Sequence, residues 1–458
     1  MADRRSIGRR EFVSTTAKVA AVAAFADGPL LRAFGQGSPN DAVNFGVIGC
    51  GVQGFGDGSS ALRCANTSIV AAASCYDGHL EHAKEVWGEK LITTRDYRQI
   101  LDNKDIDAVI IATPDHWHTK IALEALAAGK DIYCEKPLTH TVEEGDVLVS
   151  AVKKSGRIFQ VGSQHTSAPA MIEARDVIAS GLLGTVNQVK ASWDTNCEMS
   201  AWVKPVPPDA SERTVDWTRF QGDAPKHPWD PKRVFSWRRY RDYGEGLAGD
   251  VLVHIITTLH YVLNLGVPTV GTAVGGLLKW KDGRTVYDTI MGNWEYPEGI
   301  ITTLGATQNN HYDATGIRIM GDKATMVMSF GSYTVYEDDD QSNWRYTTNV
   351  WPKKYREEFW KSKGIPLETD PTAARGRGER TLKVLKRWEP PAAQPGAPRM
   401  APAHMQHFLD CVRNRRQPVQ DVVLGNNAAI TAHMANMAYF NKQMVKYDRK
   451  TGKVTQTS

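Results

Sequence analysis

The sequence lacks a long apolar run, clustered cysteines and any surplus of charge of one sign. No apolar stretch reaches the ~20 residues of a membrane-spanning helix. The six cysteines (Cys50, Cys64, Cys75, Cys134, Cys197 and Cys411) are irregularly spaced and none stands in C-x-x-C, which argues against a zinc site or a thioredoxin-type redox pair. A chain of 458 residues needs no disulfide framework, so they are expected as small buried apolar side chains. The formal net charge of +4 comes partly from an arginine-rich start and leaves no basic surface for nucleic acid. What is present, 41% hydrophobic and 23% charged residues, is ordinary globular usage at a length of two or three domains.

The first 42 residues read as a targeting segment and linker. Arginine pairs at Arg4-Arg5 and Arg9-Arg10 precede an alanine-rich stretch from Val19 to Ala26, and Gly8-Arg9-Arg10-Glu11-Phe12-Val13 resembles a twin-arginine export signal. That resemblance implies an exported, periplasmic protein, handed over folded by the twin-arginine translocation machinery with its cofactor in place. Without the signal the chain stays in the cytoplasm.

From Val43 the pattern alternates strand and helix. A β-branched run to Ile48 stops at Gly49-Cys50-Gly51-Val52-Gln53-Gly54, followed by a helix and a second strand, "SIVAAASCYD". This is the dinucleotide fingerprint in its required context. Gly49 permits the tight turn, Gly51 lets the backbone approach a pyrophosphate, Gly54 allows close helix packing, and the helix N-terminus, with Val52 and Gln53, offers N–H donors. Asp77, 23 residues past Gly54, is placed to accept from the adenosine ribose hydroxyls, which favours NAD over NADP. A further strand, Ala108 to Ala112, brings Thr113 and Pro114 to the carboxyl edge of the sheet. Trp117 either lines the nicotinamide side or covers the strand ends. His118 reads as a hydrogen-bonding residue of the next helix start, since no second metal ligand stands at a fixed offset.

The next strand ends in "YCEKPLTH". Glu135 and Lys136 therefore emerge where open α/β sheets bind ligands, and Pro137 biases Lys136 toward an extended backbone. A capping box, Thr141 with Glu144, is expected to start the following helix, and "RIFQVGS" brings Gln164 to the same edge. Val47-Ile48-Gly49-Cys50-Gly51, Thr113-Pro114 with His118, and above all Cys134-Glu135-Lys136-Pro137 resemble the Gfo/Idh/MocA family of NAD(P)-dependent sugar and cyclitol oxidoreductases. The resemblance extends from Val43 through "GSQHTSAPAMIEARDVIASGLLGTVNQV" to the closing helical segment. It implies an α/β fold: a Rossmann domain over 43–164, then an α+β domain over 165–458 whose open, mostly antiparallel sheet serves substrate binding and homo-oligomer contacts.

A second constellation lies in "GEGLAGDVLVHIITTLHYVLNLG". On a helix Asp250 and His254 stand one turn apart on one face. The segment resembles the family's D-x-x-x-H, whose acid and histidine complete the active site with the lysine, giving Lys136, Asp250 and His254. Where the family often has a further Asp three residues on, this chain has Thr257. The set suits alcohol oxidation: His254 as general base, Lys136 hydrogen-bonding the reacting oxygen, Asp250 orienting the histidine or binding a neighbouring hydroxyl. A metal is not expected, because His260 points away from His254 on a helix. Between Trp193 and Trp237 runs a long proline-punctuated segment with five tryptophans; Trp237, Arg238 and Tyr240 are its substrate-contact candidates. The 338–400 stretch reads as a polar excursion. The leading expectation is an exported NAD-dependent oxidoreductase acting on a secondary hydroxyl of a sugar, glycoside or cyclitol. The second is an NAD-dependent glycoside hydrolase working by transient oxidation, elimination and re-reduction. A sugar-binding relic of the fold is opposed by the intact lysine, aspartate and histidine.

Overall fold

A computed structural model describes residues 42–338, 344–367, 382–388 and 400–456. The twin-arginine motif and parts of the 338–400 excursion lie outside the described residues. Six strands, β1 (Val43–Ile48), β2 (Thr67–Ala73), β3 (Ile92–Thr94), β4 (Ala108–Ile111), β5 (Asp131–Glu135) and β6 (Phe159–Gly162), form a parallel sheet in the order β3-β2-β1-β4-β5-β6. Every residue of β4, β5 and β6 is buried, as strands covered on both faces require. The covering helices include α1 (Val52–Ala61), α2 (Asp77–Trp87), α3 (His118–Ala127) and α4 (Glu143–Ser155). The order reverses between β1 and β4, and that switch opens a crevice at their carboxyl ends.

Helix α4 carries Glu143, Glu144 and Asp146 in its first turn, Lys153 and Lys154 in its last, and stops at left-handed Gly156. The expected capping box forms only by half. Glu144 reaches back to the amides of His140 (2.7 Å) and Thr141 (3.3 Å), but Val142 is the N-cap and the Thr141 side chain caps nothing. Glu144 also accepts from Thr119 Oγ1 at 3.0 Å, which draws it toward α3.

After helix α5 (Pro169–Ala179) the chain enters a ten-stranded sheet made of β7 (Val186–Asp194), β8 (Val270–Gly276), β9 (Thr289–Glu295), β10 (Ile301–Thr307), β11 (Thr315–Gly321), β12 (Ala324–Met328), β13 (Tyr333–Glu337), β14 (Val384–Trp388), β15 (Val445–Asp448) and β16 (Lys453–Gln456). Its order is β14-β13-β12-β11-β7-β10-β9-β8-β15-β16, antiparallel except where β10 pairs with β7. Strand β9 alternates buried Ile290, Gly292 and Trp294 with exposed neighbours, so one face of the sheet meets the core. That face is covered by α5, α6 (Val253–Leu263) and α8 (Val422–Asn441), in a core holding Ile255, Leu259, Trp294 and Ala432. Helix α7 (Met400–Asn414) returns instead to the first sheet, where Phe408 and Leu409 pack with Phe45 and Tyr133. The closing segment thus ties the two sheets together.

All six cysteines are free thiols. Four are buried as expected, but Cys75 is only partly covered and Cys197 is exposed in the loop after β7.

Candidate active site

A cavity of about 590 Å³ follows the carboxyl ends of β1, β2 and β4. Gly49, at φ +96°, closes the turn after β1, and a Cβ there would lie 2.6 Å from the Ala112 carbonyl. A Cβ on Gly54 would lie 2.0 Å from the Gly49 oxygen, so α1 starts this close to β1 only because Gly54 has no side chain. Gly51 has open space around it, its position is the N-cap of α1, and no side chain caps that terminus. The first amides of the helix therefore face the cavity with Val52 and Gln53, an arrangement that suits a pyrophosphate. Thr113 and Pro114 line the same cavity, and Thr113 Oγ1 is buried there with no protein partner. Cradle, helix terminus and orphaned hydroxyl together fit a dinucleotide.

Of the expected cofactor contacts, Glu135 and Gln164 line a smaller neighbouring cavity, and Asp77 and His118 line neither. Asp77 opens α2, where an acid suits the helix terminus, and its carboxylate is gripped by the Arg95 guanidinium, with Nε at 2.7 Å. Arg95, Ser74, Cys75 and His79 line the cavity in its stead. His118 is buried and holds two turns together, Nδ1 against the Pro137 carbonyl (2.7 Å) and Nε2 against that of Thr113 (2.9 Å). Trp117 lines the cavity while its Nε1 donates to the Phe220 carbonyl at 2.9 Å, which pins the long loop to α3.

A second cavity of about 280 Å³ adjoins the first; Gln53, Trp202, Arg238 and Asp250 line both. Lys136, from the end of β5, and Asp250, from a π-helical turn (Ala248–Leu252) leading into α6, meet here across 114 residues. Lys136 Nζ donates to Asp250 Oδ1 and to its carbonyl, both at 2.9 Å. The same Oδ1 accepts from Arg238 Nε at 2.8 Å, and Oδ2 from Trp202 Nε1 at 3.1 Å. Burial raises the Asp250 carboxyl, but Arg238 and Lys136 outweigh it and hold the group well below the usual carboxylate range. The expected pairing of Asp250 with His254 is therefore replaced by a clamp on two cations, because the π-turn and the incoming tryptophan loop supply nearer partners.

His254 lines the second cavity, and no described residue hydrogen-bonds its ring; Nδ1 is buried and unpartnered. Burial, then the charge of Lys136, pushes its pKa well below the usual imidazole value, so the ring is neutral at neutral pH. Trp193 lies 5.4 Å and His165 5.1 Å from it, centroid to centroid, and His165 stacks on Phe330 at 3.9 Å. Gln164 donates to Glu135 (2.7 Å) and to Tyr133 (3.0 Å), and Gln53 bridges Glu135 to buried Asp57. Thr257 is buried in α6 and away from the cavities.

Of the loop candidates, Trp237 and Arg238 reach the larger cavity, whereas Tyr240 is buried beneath the Arg233 guanidinium at 4.4 Å and lines neither. Sequence reading missed Trp193, Trp202, His165 and Lys204. The tryptophans were visible as a cluster, but nothing in their spacing said which would turn inward. His260 donates to or accepts from Tyr296 at 2.9 Å, and no metal-ligating cluster occurs among the described residues.

Comparison with known proteins defines the class. Residues 43–163 match the "Oxidoreductase family, NAD-binding Rossmann fold" and residues 213–327 the "GFO/IDH/MocA C-terminal domain". The chain belongs to the Gfo/Idh/MocA family. Among its relatives, a levoglucosan dehydrogenase of Pseudarthrobacter phenanthrenivorans is 29% identical over 240 residues, 48% of this chain and 54% of that protein. An inositol 2-dehydrogenase of Saccharopolyspora erythraea is 32% identical over 143 residues, 31% of this chain and 42% of that protein. The chain thus matches about half the length of these relatives. A solved levoglucosan dehydrogenase, in complex with NADH and L-sorbose, superposes with a TM-score of 0.65 at 20% identity over 89% of this chain and 100% of that one, a likeness of fold.

Proposed function

We propose that the chain is an NAD-dependent oxidoreductase acting on a secondary hydroxyl of a sugar, glycoside or cyclitol. The observation that carries this reading is the meeting of Lys136 with a neutral, unpartnered His254 at a cavity that opens into the dinucleotide crevice. Removal of a hydride from a carbinol carbon needs a base for the hydroxyl proton and a cation beside the developing alkoxide. His254, neutral and free of competing hydrogen bonds, takes the proton. Lys136 has three N–H donors and spends two on Asp250, so the third is left for the reacting oxygen. Asp250 fixes that ammonium in place. The dinucleotide, when bound, supplies the hydride acceptor. Relatives are named as levoglucosan and inositol dehydrogenases, which favours a sugar or cyclitol substrate here.

Export through the twin-arginine motif belongs to the same proposal, with the dinucleotide carried and retained because free NAD is not expected outside the cytoplasm. The division at about residue 164 into cofactor and substrate portions is likewise part of it. The test is to add free sugars, cyclitols and aryl glycosides to the protein as isolated. Appearance of reduced-nicotinamide absorbance supports the oxidoreductase. Release of aglycone without net reduction selects the hydrolytic alternative, and no response to any of them removes both.

A further inference from the structure

We propose that Arg238 anchors a carboxylate on the substrate, so that the site takes acidic sugars, uronates or aldonates, in preference to their neutral counterparts. This rests on the sugar-oxidising reading above. The guanidinium is fixed from two sides: Nε donates to Asp250 Oδ1 at 2.8 Å, and its carbon lies 4.2 Å from the centroid of the Trp237 ring. Only Nε is engaged. The two terminal nitrogens make no hydrogen bond to any described residue, the side chain keeps 25% exposure, and it lines both cavities where they join. A guanidinium held in plane with its terminal pair open matches the two oxygens of a carboxylate, which a hydroxyl group does not.

Charge in the site points the same way. Lys136 and Arg238 share one carboxylate oxygen of Asp250, and Glu135, the other acid lining the smaller cavity, makes no ion pair with either and is pushed up by burial against the pull of Lys136. Lys204 lines the larger cavity beside Arg238 and forms no ion pair among the described residues, although burial lowers its pKa. The neighbouring acid Asp115 does not offset them, because burial pushes its carboxyl well above the usual range in spite of Arg238. Since Lys136 and Arg238 meet on the same oxygen atom, the anchored acid group lies only a few bonds from the hydroxyl that Lys136 contacts. The pyrophosphate has its own cradle at Gly51, at the start of α1.

The experiment uses the protein with its nicotinamide bound. D-Glucuronate, D-galacturonate and D-gluconate are titrated beside D-glucose, D-galactose and D-glucitol, reading tryptophan fluorescence for affinity and nicotinamide absorbance for reduction. The acids should bind at least about tenfold more tightly than their neutral partners, the span of a charge-assisted hydrogen bond. R238Q should erase that preference with nicotinamide content as in the wild type, and R238K, which keeps charge without the fork, should retain part of it. Equal affinity for acids and neutral sugars in the wild type, or a preference that survives in R238Q, overturns the proposal. Loss of nicotinamide from R238Q and R238K overturns it too, by assigning the fork to the cofactor. Oxidation of neutral sugars without any preference for acids defeats this proposal alone; silence from all six compounds also defeats it, and defeats the sugar reading beneath it when cyclitols and aryl glycosides are silent as well.

Discussion

At the scale of single residues, the site is organised by which polar atoms are claimed and which are left open. Asp250 is saturated by Lys136, Arg238 and Trp202, so it is an electrostatic fixture and not a proton acceptor. His254 is the reverse, half-buried at the cavity wall with its ring unclaimed. Its lowered pKa means that the base form persists below the ordinary imidazole value of ~6.5. The acid limb of kcat/KM should therefore fall clearly below that value, and H254A should remove the limb together with most of the rate. An acid limb centred at the ordinary imidazole value would assign the titration to another group. Lys136 and His254 were legible from E-K-P and D-x-x-x-H, since both motifs carry chemistry no core needs. At Asp77 spacing places an acid just beyond β2, but which partner its carboxylate meets is decided by a three-dimensional neighbour, Arg95 eighteen residues on, that no motif announces.

At the scale of elements, the turn from β1 into α1 makes separate demands on its glycines. Gly54 serves packing, because any side chain meets the Gly49 carbonyl, whereas Gly51 has free space around it within the protein. G54A should therefore lose both stability and cofactor. G51A should leave the urea midpoint of the cofactor-free protein within the ~0.5 kcal/mol of an uncrowded surface change while lowering nicotinamide retention. Equal loss of stability in both variants would show that the cradle is a packing device only. Alternating strands and helices were readable up to Gly162 wherever a strand is a short apolar run bounded by turn residues; the three-residue edge strand β3 (Ile92–Thr94) is not one and was missed. The π-turn at Ala248–Leu252 was not, since one extra residue in a helical turn leaves no mark on a 3.6-residue pattern. That turn decides whether Asp250 faces His254 or Lys136.

At the scale of the whole molecule, the two sheets are joined through polar contacts as well as apolar ones. Glu245, just before the π-turn, accepts from Asn436 of α8 (2.7 Å) while it meets His140 ahead of α4 (3.3 Å) and donates its amide to Asp115 ahead of α3 (3.1 Å), and α7 returns to the first sheet. Such long-range closure is invisible to sequence periodicity, which is why the C-terminal helices were placed with the second sheet alone. Burial also leaves His404 with a pKa of about 4 and His260 of about 3. Unfolding exposes each to an ordinary value of ~6.5, so the unfolded chain binds more protons and stability falls as pH drops from that value toward 4. Urea midpoints measured from pH 7 to pH 4.5 should decline more steeply in the wild type than in H260Q, which lacks one such ring; identical profiles would mean that His260 is protonated in the fold. The account stands or falls on the amine at position 136. In a single-turnover measurement on protein with oxidised nicotinamide bound, K136A should retain the cofactor yet reduce it ~10²–10³-fold more slowly on addition of the sugar that the wild type oxidises. Reduction at the wild-type rate would contradict it.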